Sequence, residues 1–172
     1  NKQYPGCRQV FLILRLEISA KSEWFNGETP VDNLNPDTVQ RFLHLTHDKY
    51  LERFGEEFGK TIPGIFTDEP SLADTHSAFG ADRSWIPWTY GFAEYFREKN
   101  GYDPIDRIPL FFFEGDGSTK VRHDYWHAIA LRFSENYSGQ IAAWCRDHHL
   151  LMTGHFLQED KLGLSTRVSG AT

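Results

Sequence analysis

Two carboxylates close behind an apolar run are the residues of this chain best placed for chemistry. The segment Ile62–Phe66 is predicted to be a short strand buried on both faces, and Asp68 and Glu69 come just after it. Pro70 cannot donate to a sheet, so the strand must end near it. Ligands bind at the carboxyl ends of strands in parallel α/β folds. The alternative is a pair of loop carboxylates that cap the next turn.

Two further groups of polar and aromatic residues also follow predicted strands. His155 comes at the end of the predicted strand Leu150–Gly154, and Glu159 lies shortly after it. The third group lies in the loop after the predicted first strand, Gln9–Ile18, and consists of Glu23, Trp24 and Asp32. If the strands are parallel, all three groups converge at one end of the sheet.

Glycoside hydrolysis is the chemistry that such carboxylates suit best. It needs one protonated carboxyl group as the acid and one ionised group as the base or nucleophile, placed across a sugar ring. Adjacent residues of an extended chain point in opposite directions, so only one of Asp68 and Glu69 would face the cavity. We take Glu69 as the reacting acid and Asp68 as its support. Taken alone, Glu159 is equally compatible with a surface acid, and His155 with an ordinary polar group.

Other site chemistries find less support in the sequence. There is no His-Glu-x-x-His motif, no Cys/His cluster with zinc spacing, no Gly-rich phosphate loop and no Gly-x-Ser-x-Gly elbow. The prediction is therefore a protein without a cofactor, although a structural calcium ion held by loop oxygens leaves little trace in a sequence. A metal-dependent hydrolase using Asp68, Glu69 and His155 stays open as a third hypothesis.

Composition narrows the class of partner. The chain has 172 residues, 24% of them charged, and a net charge of −6, which argues against nucleic acid and anionic membranes as partners. Aromatic residues reach 15%, and flat rings suit the C–H faces of sugars. Trp24, Trp85 and Trp88 are the candidate stacking surfaces, although packing is the better explanation for each one taken alone. The compartment is not encoded, since a cytoplasmic protein and a mature secreted one would look alike.

The order of predicted elements favours parallel β/α units in a single α/β domain over residues 1–172. A helix capped by Asn35 and ended by Gly59 joins the first two strands. A shorter helix covers Thr89–Asn100 and is closed by Gly101, and an irregular stretch follows over 104–117. Ser118 is the predicted N-cap of a long helix. A complete β/α barrel needs about 250 residues, so we expect this chain to be an incomplete part of one.

Several short motifs, in this order, resemble a known family of large bacterial enzymes. The motifs are Asp32-Asn33-Leu34-Asn35-Pro36, Phe66-Thr67-Asp68-Glu69-Pro70, Pro87-Trp88-Thr89, Asn100-Gly101-Tyr102-Asp103, Arg122-His123-Asp124-Tyr125-Trp126, Trp144-Cys145 and Thr153-Gly154-His155. Their order and spacing, over about residues 9–165, resemble the catalytic region of glycoside hydrolase family 106, the α-L-rhamnosidases, and its uncharacterised relatives.

The resemblance implies a (β/α)8 TIM-barrel catalytic domain within a longer polypeptide that carries further domains. It implies hydrolysis of a polysaccharide or oligosaccharide by two glutamates, which map onto Glu69 and, more weakly, Glu159. The expected substrate-binding residues are Asp68, His155, Trp24, Trp88 and Glu23. The alternative is a non-catalytic carbohydrate-binding or scaffold fragment of a larger enzyme that uses the same cleft.

Overall fold

The structure is a computed structural model that describes residues 12–72, 85–157, 159–161 and 165. Six α-helices and two strands lie within these ranges. In chain order they are α1 (Pro36–Leu45), α2 (His47–Phe54), β1 (Gly64–Asp68), α3 (Phe92–Asn100), α4 (Ile108–Phe112), α5 (Ser118–Phe133), α6 (Gly139–Asp147) and β2 (Leu151–His155). None of the helices in the described ranges is long and apolar enough to cross a bilayer.

The predicted parallel β/α arrangement is confirmed for the two strands. β1 and β2 pair in parallel, with Phe66 opposite Thr153 and Asp68 opposite His155. Both strands begin and end slightly later than predicted, so Asp68 closes β1 instead of following it. The described part of the chain therefore has a mixed α/β fold with a two-stranded sheet.

The prediction that β1 is buried on both faces is wrong. Ile65 packs with the helices, whereas the side chain of Phe66 is 58% exposed and that of Leu151 on β2 is 72% exposed. Successive strand residues point to opposite faces, so helices cover one face of the sheet and leave the other open. A continuous apolar run does not distinguish these two environments.

The predicted first strand is also wrong over its described part. Residues 12–18 have no regular secondary structure, and most of their side chains are exposed, including Ile13 and Ile18. Residues 9–11 lie outside the described ranges. A strand needs a hydrogen-bonded neighbour, and no described residue pairs with this segment. Its apolar alternation is therefore insufficient to make a strand.

The predicted helix that starts at Asn35 is confirmed at its beginning and divided in its middle. The Asn35 side chain accepts a hydrogen bond from the backbone N–H of Asp37 at 3.0 Å, as expected of an N-cap. Thr46 ends α1: its hydroxyl donates to the Phe42 carbonyl at 2.7 Å, and its φ of −115° and ψ of −68° depart from the values of a regular α-helix. Two helices, α1 and α2, result.

The helix predicted over Thr89–Asn100 is observed as α3, and Gly101 caps it as expected.

Residues 104–117, predicted to be irregular, contain a helical turn at Ile105–Arg107 and helix α4. The reason lies in α5. The Arg122 guanidinium donates to the Leu110 carbonyl and the Phe113 carbonyl, each at 2.9 Å. These bonds satisfy carbonyl groups at the end of α4 that have no partner within the helix.

The long helix predicted from Ser118 is observed as three joined segments. α5 leads into a π-helical turn, Ser134–Ser138, which continues into α6. Gly117, with a left-handed backbone, occupies the N-cap position that we assigned to Ser118. The buried Asn136 in the π-helical turn donates to the Leu34 carbonyl at 2.6 Å. The Arg132 Nε donates to the same carbonyl at 3.2 Å, which ties the loop before α1 to the long helix.

This long helix joins two hydrophobic clusters. The first core packs α3 against α5 and contains the residues Leu34, Leu72, Phe92, Tyr95, Phe96, Tyr125, Ala128, Ile129 and Phe133. The second core packs α6 beneath the sheet and contains Leu43, Phe58, Ile141, Cys145 and Leu150. Tyr137, in the π-helical turn, packs against both cores. The second core is what supports β1 and β2 from below.

The buried His47 should make the stability of the protein depend on pH. Its ring lies between Phe42 and Trp144, with centroids 5.3 and 5.1 Å away, and burial lowers its pKa although Asp48 opposes the shift. As the pH falls through 6.5, the unfolded chain binds a proton that the folded protein resists. We expect the free energy of unfolding to decrease from there until the pH reaches the lower pKa of the folded state.

Urea denaturation at a series of pH values measures this effect. In the His47→Phe variant, the free energy of unfolding should decrease less over the same pH range. Phenylalanine keeps the ring contacts but has no group that titrates. His127→Gln, at an exposed position, is the matched control and should keep the slope of the unaltered protein. An identical slope in His47→Phe would contradict the assignment.

The two strands approach each other closely enough to require glycine at Gly154. Its φ is 155°, and a Cβ there would overlap the carbonyl oxygen of Thr67. We expect Gly154→Ala to lower the free energy of unfolding by about 2–3 kcal/mol. The control is Gly101→Ala, where φ is 79° and a Cβ meets nothing within 4 Å, so only the backbone cost of about 1 kcal/mol applies. Equal losses in chemical denaturation would refute the steric argument.

Candidate active site

The parallel pairing brings two of the predicted site groups together. Asp68 and His155 are register partners at the carboxyl ends of β1 and β2. The backbone N–H of Glu69 then donates to the His155 carbonyl at 3.2 Å, so the pairing extends one residue past β1. The carboxylates after β1 and the histidine at the end of β2 therefore share one edge of the sheet.

Asp68 and His155 form a direct polar contact on the open face. The Oδ1 atom of Asp68 lies 2.9 Å from Nε2 of His155, and both side chains are partly exposed, by 75% and 39%. Exposed pairs of this kind contribute only about 0–1 kcal/mol to stability. The contact orients the imidazole instead, because it engages Nε2 and makes Nδ1 the ring nitrogen that can face a ligand.

Glu69 has an unusual backbone for its residue type. Its φ is 47°, in the left-handed region, and Pro70 follows it. Residues other than glycine rarely adopt this conformation, and a following proline restricts the backbone further. Such strain costs on the order of 1–3 kcal/mol and is concentrated at functional sites. The turn also leaves the Glu69 side chain exposed at the sheet edge.

Glu159 lies in a turn just after β2. Its Oε2 atom accepts a hydrogen bond from the backbone N–H of Phe156 at 2.8 Å, and its own N–H donates to the Phe156 carbonyl at 3.2 Å. One carboxylate oxygen therefore closes the local turn, and Oε1 stays available for other contacts. Gln158 lies outside the described residues.

The third predicted group has a local structure of its own. Glu23 and Trp24 lie in a short helical turn, Glu23–Phe25, which the hydrogen bond from Ser22 N–H to the Glu28 carbonyl closes at 3.1 Å. Both side chains are exposed. Their place in the same site as Asp68 and His155 stays a prediction.

Two other predicted residues have packing partners. Both carboxylate oxygens of Asp32 are occupied, one by the Thr89 hydroxyl at 2.6 Å and the other by the Leu34 N–H at 3.1 Å. Asp32 therefore joins two loops. The half-buried ring of Trp88 packs edge-on against Phe92 at a centroid distance of 5.0 Å, which uses part of its surface for the first core. Trp85 is also half-buried.

Phe66 is the site residue that the sequence did not reveal. It lies on the same face of β1 as Asp68, and its ring centroid is 5.7 Å from that of His155. Thr153, its register partner on β2, is exposed beside it. Phe66 and Asp68 are two residues apart, which places them on the same face of a strand and was the available signal. Phe66 also fits the apolar run of a buried strand, so the signal was ambiguous. The open face therefore presents an aromatic ring next to a carboxylate and an imidazole.

The described residues contain no group of three or more His, Cys, Asp or Glu side chains placed to hold a metal ion. What the arrangement at the strand ends offers is acid–base and hydrogen-bonding chemistry. A carboxyl group at Glu69 can exchange a proton, and the Asp68–His155 pair can bind hydroxyl groups.

The backbone of Glu69 gives a test of local strain that is independent of activity. Replacement by glycine, Glu69→Gly, should raise the free energy of unfolding by about 0.5–1 kcal/mol, since glycine adopts φ of 47° without steric cost but loses more entropy on folding. Glu56→Gly, in the short helical turn Gly55–Glu57, is the control and should lose stability. A loss in both variants, measured by urea denaturation, would show that Glu69 is unstrained.

Comparison with known proteins assigns no family to this chain. No protein family and no curated protein matches it. The functional hypothesis therefore rests on the geometry at the strand ends and on the resemblance of its motifs.

Proposed function

We propose that this chain is part of the catalytic domain of a glycoside hydrolase, and that its β/α units belong to a (β/α)8 barrel. The observation that carries the proposal is the meeting of Glu69, Asp68 and His155 at the carboxyl ends of neighbouring parallel strands. Ligands bind at this end in folds of this class. The resemblance of the motifs to the α-L-rhamnosidase family adds the substrate class, a polysaccharide or oligosaccharide.

Glu69 is the proposed general acid. Its exposed carboxyl group at the sheet edge would protonate the glycosidic oxygen as the bond to the sugar breaks. Glu159 is the proposed partner carboxylate. With Oε2 held by the Phe156 N–H, its Oε1 would activate water or attack the sugar carbon. The separation of the two carboxyl groups in the complex decides between these routes: about 5–5.5 Å suits attack, and about 6.5–9.5 Å suits activated water.

The open face of the sheet supports a role in binding the sugar. Phe66 offers a flat apolar ring, and its exposure is otherwise unfavourable in water. Asp68 and His155, beside it, supply an acceptor and a ring nitrogen for the sugar hydroxyl groups. A ring next to a few convergent polar groups is the usual composition of a small-molecule site. Trp24, Trp88 and Glu23 complete the proposed substrate-binding set.

Removal of the acid should abolish hydrolysis and spare binding. We expect Glu69→Gln to lower kcat by roughly 10²–10⁴-fold, since general acid catalysis contributes about that factor. The measurement is release of reducing ends from a panel of plant and microbial polysaccharides that includes rhamnose-containing ones. Glu159→Gln should lower kcat in the same way. Phe66→Ala should raise KM more than it lowers kcat.

Two controls make the outcome decisive. Glu56→Gln changes an exposed glutamate of the helical turn Gly55–Glu57, which is not one of the proposed site residues, and should leave turnover unaltered. Binding of the same polysaccharides is measured separately by calorimetry. Unchanged turnover in Glu69→Gln would overturn the assignment. Binding without turnover in the unaltered protein would favour the alternative, a non-catalytic carbohydrate-binding fragment.

A further inference from the structure

Helix α5 carries two histidines one turn apart on its exposed side. His123 and His127 are both exposed, and their rings lie nearly parallel, with centroids 5.9 Å apart and an interplanar angle of 25°. Residues four apart on a helix are neighbours on one face. This pair lies outside the candidate active site, and the proposed glycosidase chemistry does not use it.

A buried carboxylate lies next to the ring of His123. The Nδ1 atom of this ring faces Oδ1 of Asp124 at 3.5 Å. Asp124 is itself held in place: its Oδ2 accepts the Tyr102 hydroxyl at 2.8 Å and contacts the Lys120 ammonium group. A carboxylate beside Nδ1 favours the imidazole tautomer that carries its proton on Nδ1 and leaves the lone pair of Nε2 free. Histidines that bind metal ions have this kind of partner in most metalloproteins.

We propose that His123 and His127 form a binding site for a divalent transition-metal ion such as Zn²⁺ or Ni²⁺. The Nε2 atoms of the two rings are the ligands, and water or a donor from another molecule completes the coordination. A tetrahedral ion about 2.0–2.1 Å from each nitrogen needs those nitrogens about 3.3 Å apart. Neighbouring rings on one helix face reach this separation by side-chain rotation alone, as in helical zinc motifs that use histidines four residues apart.

The polar surroundings define which ions fit. Imidazole suits zinc, nickel and copper, whereas magnesium and calcium require several oxygen ligands. Asp124, the carboxylate beside His123, is buried and occupied by Tyr102 and Lys120, so it supports His123 instead of binding the ion. The site therefore discriminates against the hard cations that oxygen-rich surfaces bind.

Calorimetric titration with ZnCl₂ and NiCl₂ tests the proposal on the full chain. We expect one ion per chain to depend on this pair, and His123→Gln and His127→Gln each to weaken its binding by roughly tenfold or more. Both side chains are exposed, so both variants should keep the fold, which circular dichroism checks. Titration with MgCl₂ or CaCl₂ should show no binding that either variant removes.

Matched controls separate this pair from the other histidines. His44→Gln and His149→Gln remove exposed histidines elsewhere on the chain and should leave the affinity for Ni²⁺ unaltered. Asp124→Asn should weaken binding by about 10–100-fold, as is usual when the partner of a metal-binding histidine is lost. Full affinity in both His123→Gln and His127→Gln would overturn the proposal. Because no sugar takes part, failure of the glycosidase assignment would leave this result unaffected.

Discussion

The close pairing of β1 and β2 is the constraint on which the candidate site depends. Gly64 and Gly154 bring the strands together where any Cβ would strike the carbonyl oxygen of the opposite strand. Their register places Asp68 opposite His155. A slip by one residue would turn the side chain of Asp68 toward the helices, since strand side chains alternate between faces. The contact between the Asp68 carboxylate and the His155 imidazole therefore depends on Gly64 and Gly154, which have no side chain to hold the strands apart.

In the part of the chain that the structure describes, the helices pack against one face of this sheet. The second core, built largely on α6, packs beneath Ile65 and Met152, and the first core holds α3 against α5. Hydrogen bonds to the Leu34 carbonyl connect the loop before α1 to the long helix. The helices therefore pack against the face of the sheet that carries Ile65 and Met152, and Phe66 and the strand ends stay exposed. This asymmetry is what makes the open face suitable for a ligand.

Local signals predicted the parts of the fold that depend on neighbouring residues. The Asn35 cap and the Gly101 stop are of this kind. The parallel pairing of the strands, which brings Asp68 to His155, was predicted from another signal, the alternation of strands and helices along the chain. The parts that depend on particular side chains of distant elements were not predictable. Helix α4 needs Arg122, from another helix, and the segment 12–18 has no pairing partner among the described residues, which a strand requires. Exposure of Phe66 and the left-handed backbone of Glu69 arise from packing and chain direction that apolar patterns do not encode.

The π-helical turn at Ser134–Ser138 has a consequence for how chain length can vary. An α-helix turns by about 100° for each residue, and a π-helical turn inserts one extra residue without ending the helix. That extra residue sets the rotation about the helix axis between the buried face of α5, in the first core, and the buried face of α6, in the second. Losing or gaining a residue there would rotate one of these faces away from its core. The surface turn at 115–117 has no such restriction. Insertions and deletions of residues should therefore be tolerated in the loops of this protein and not in the π-helical turn of its long helix.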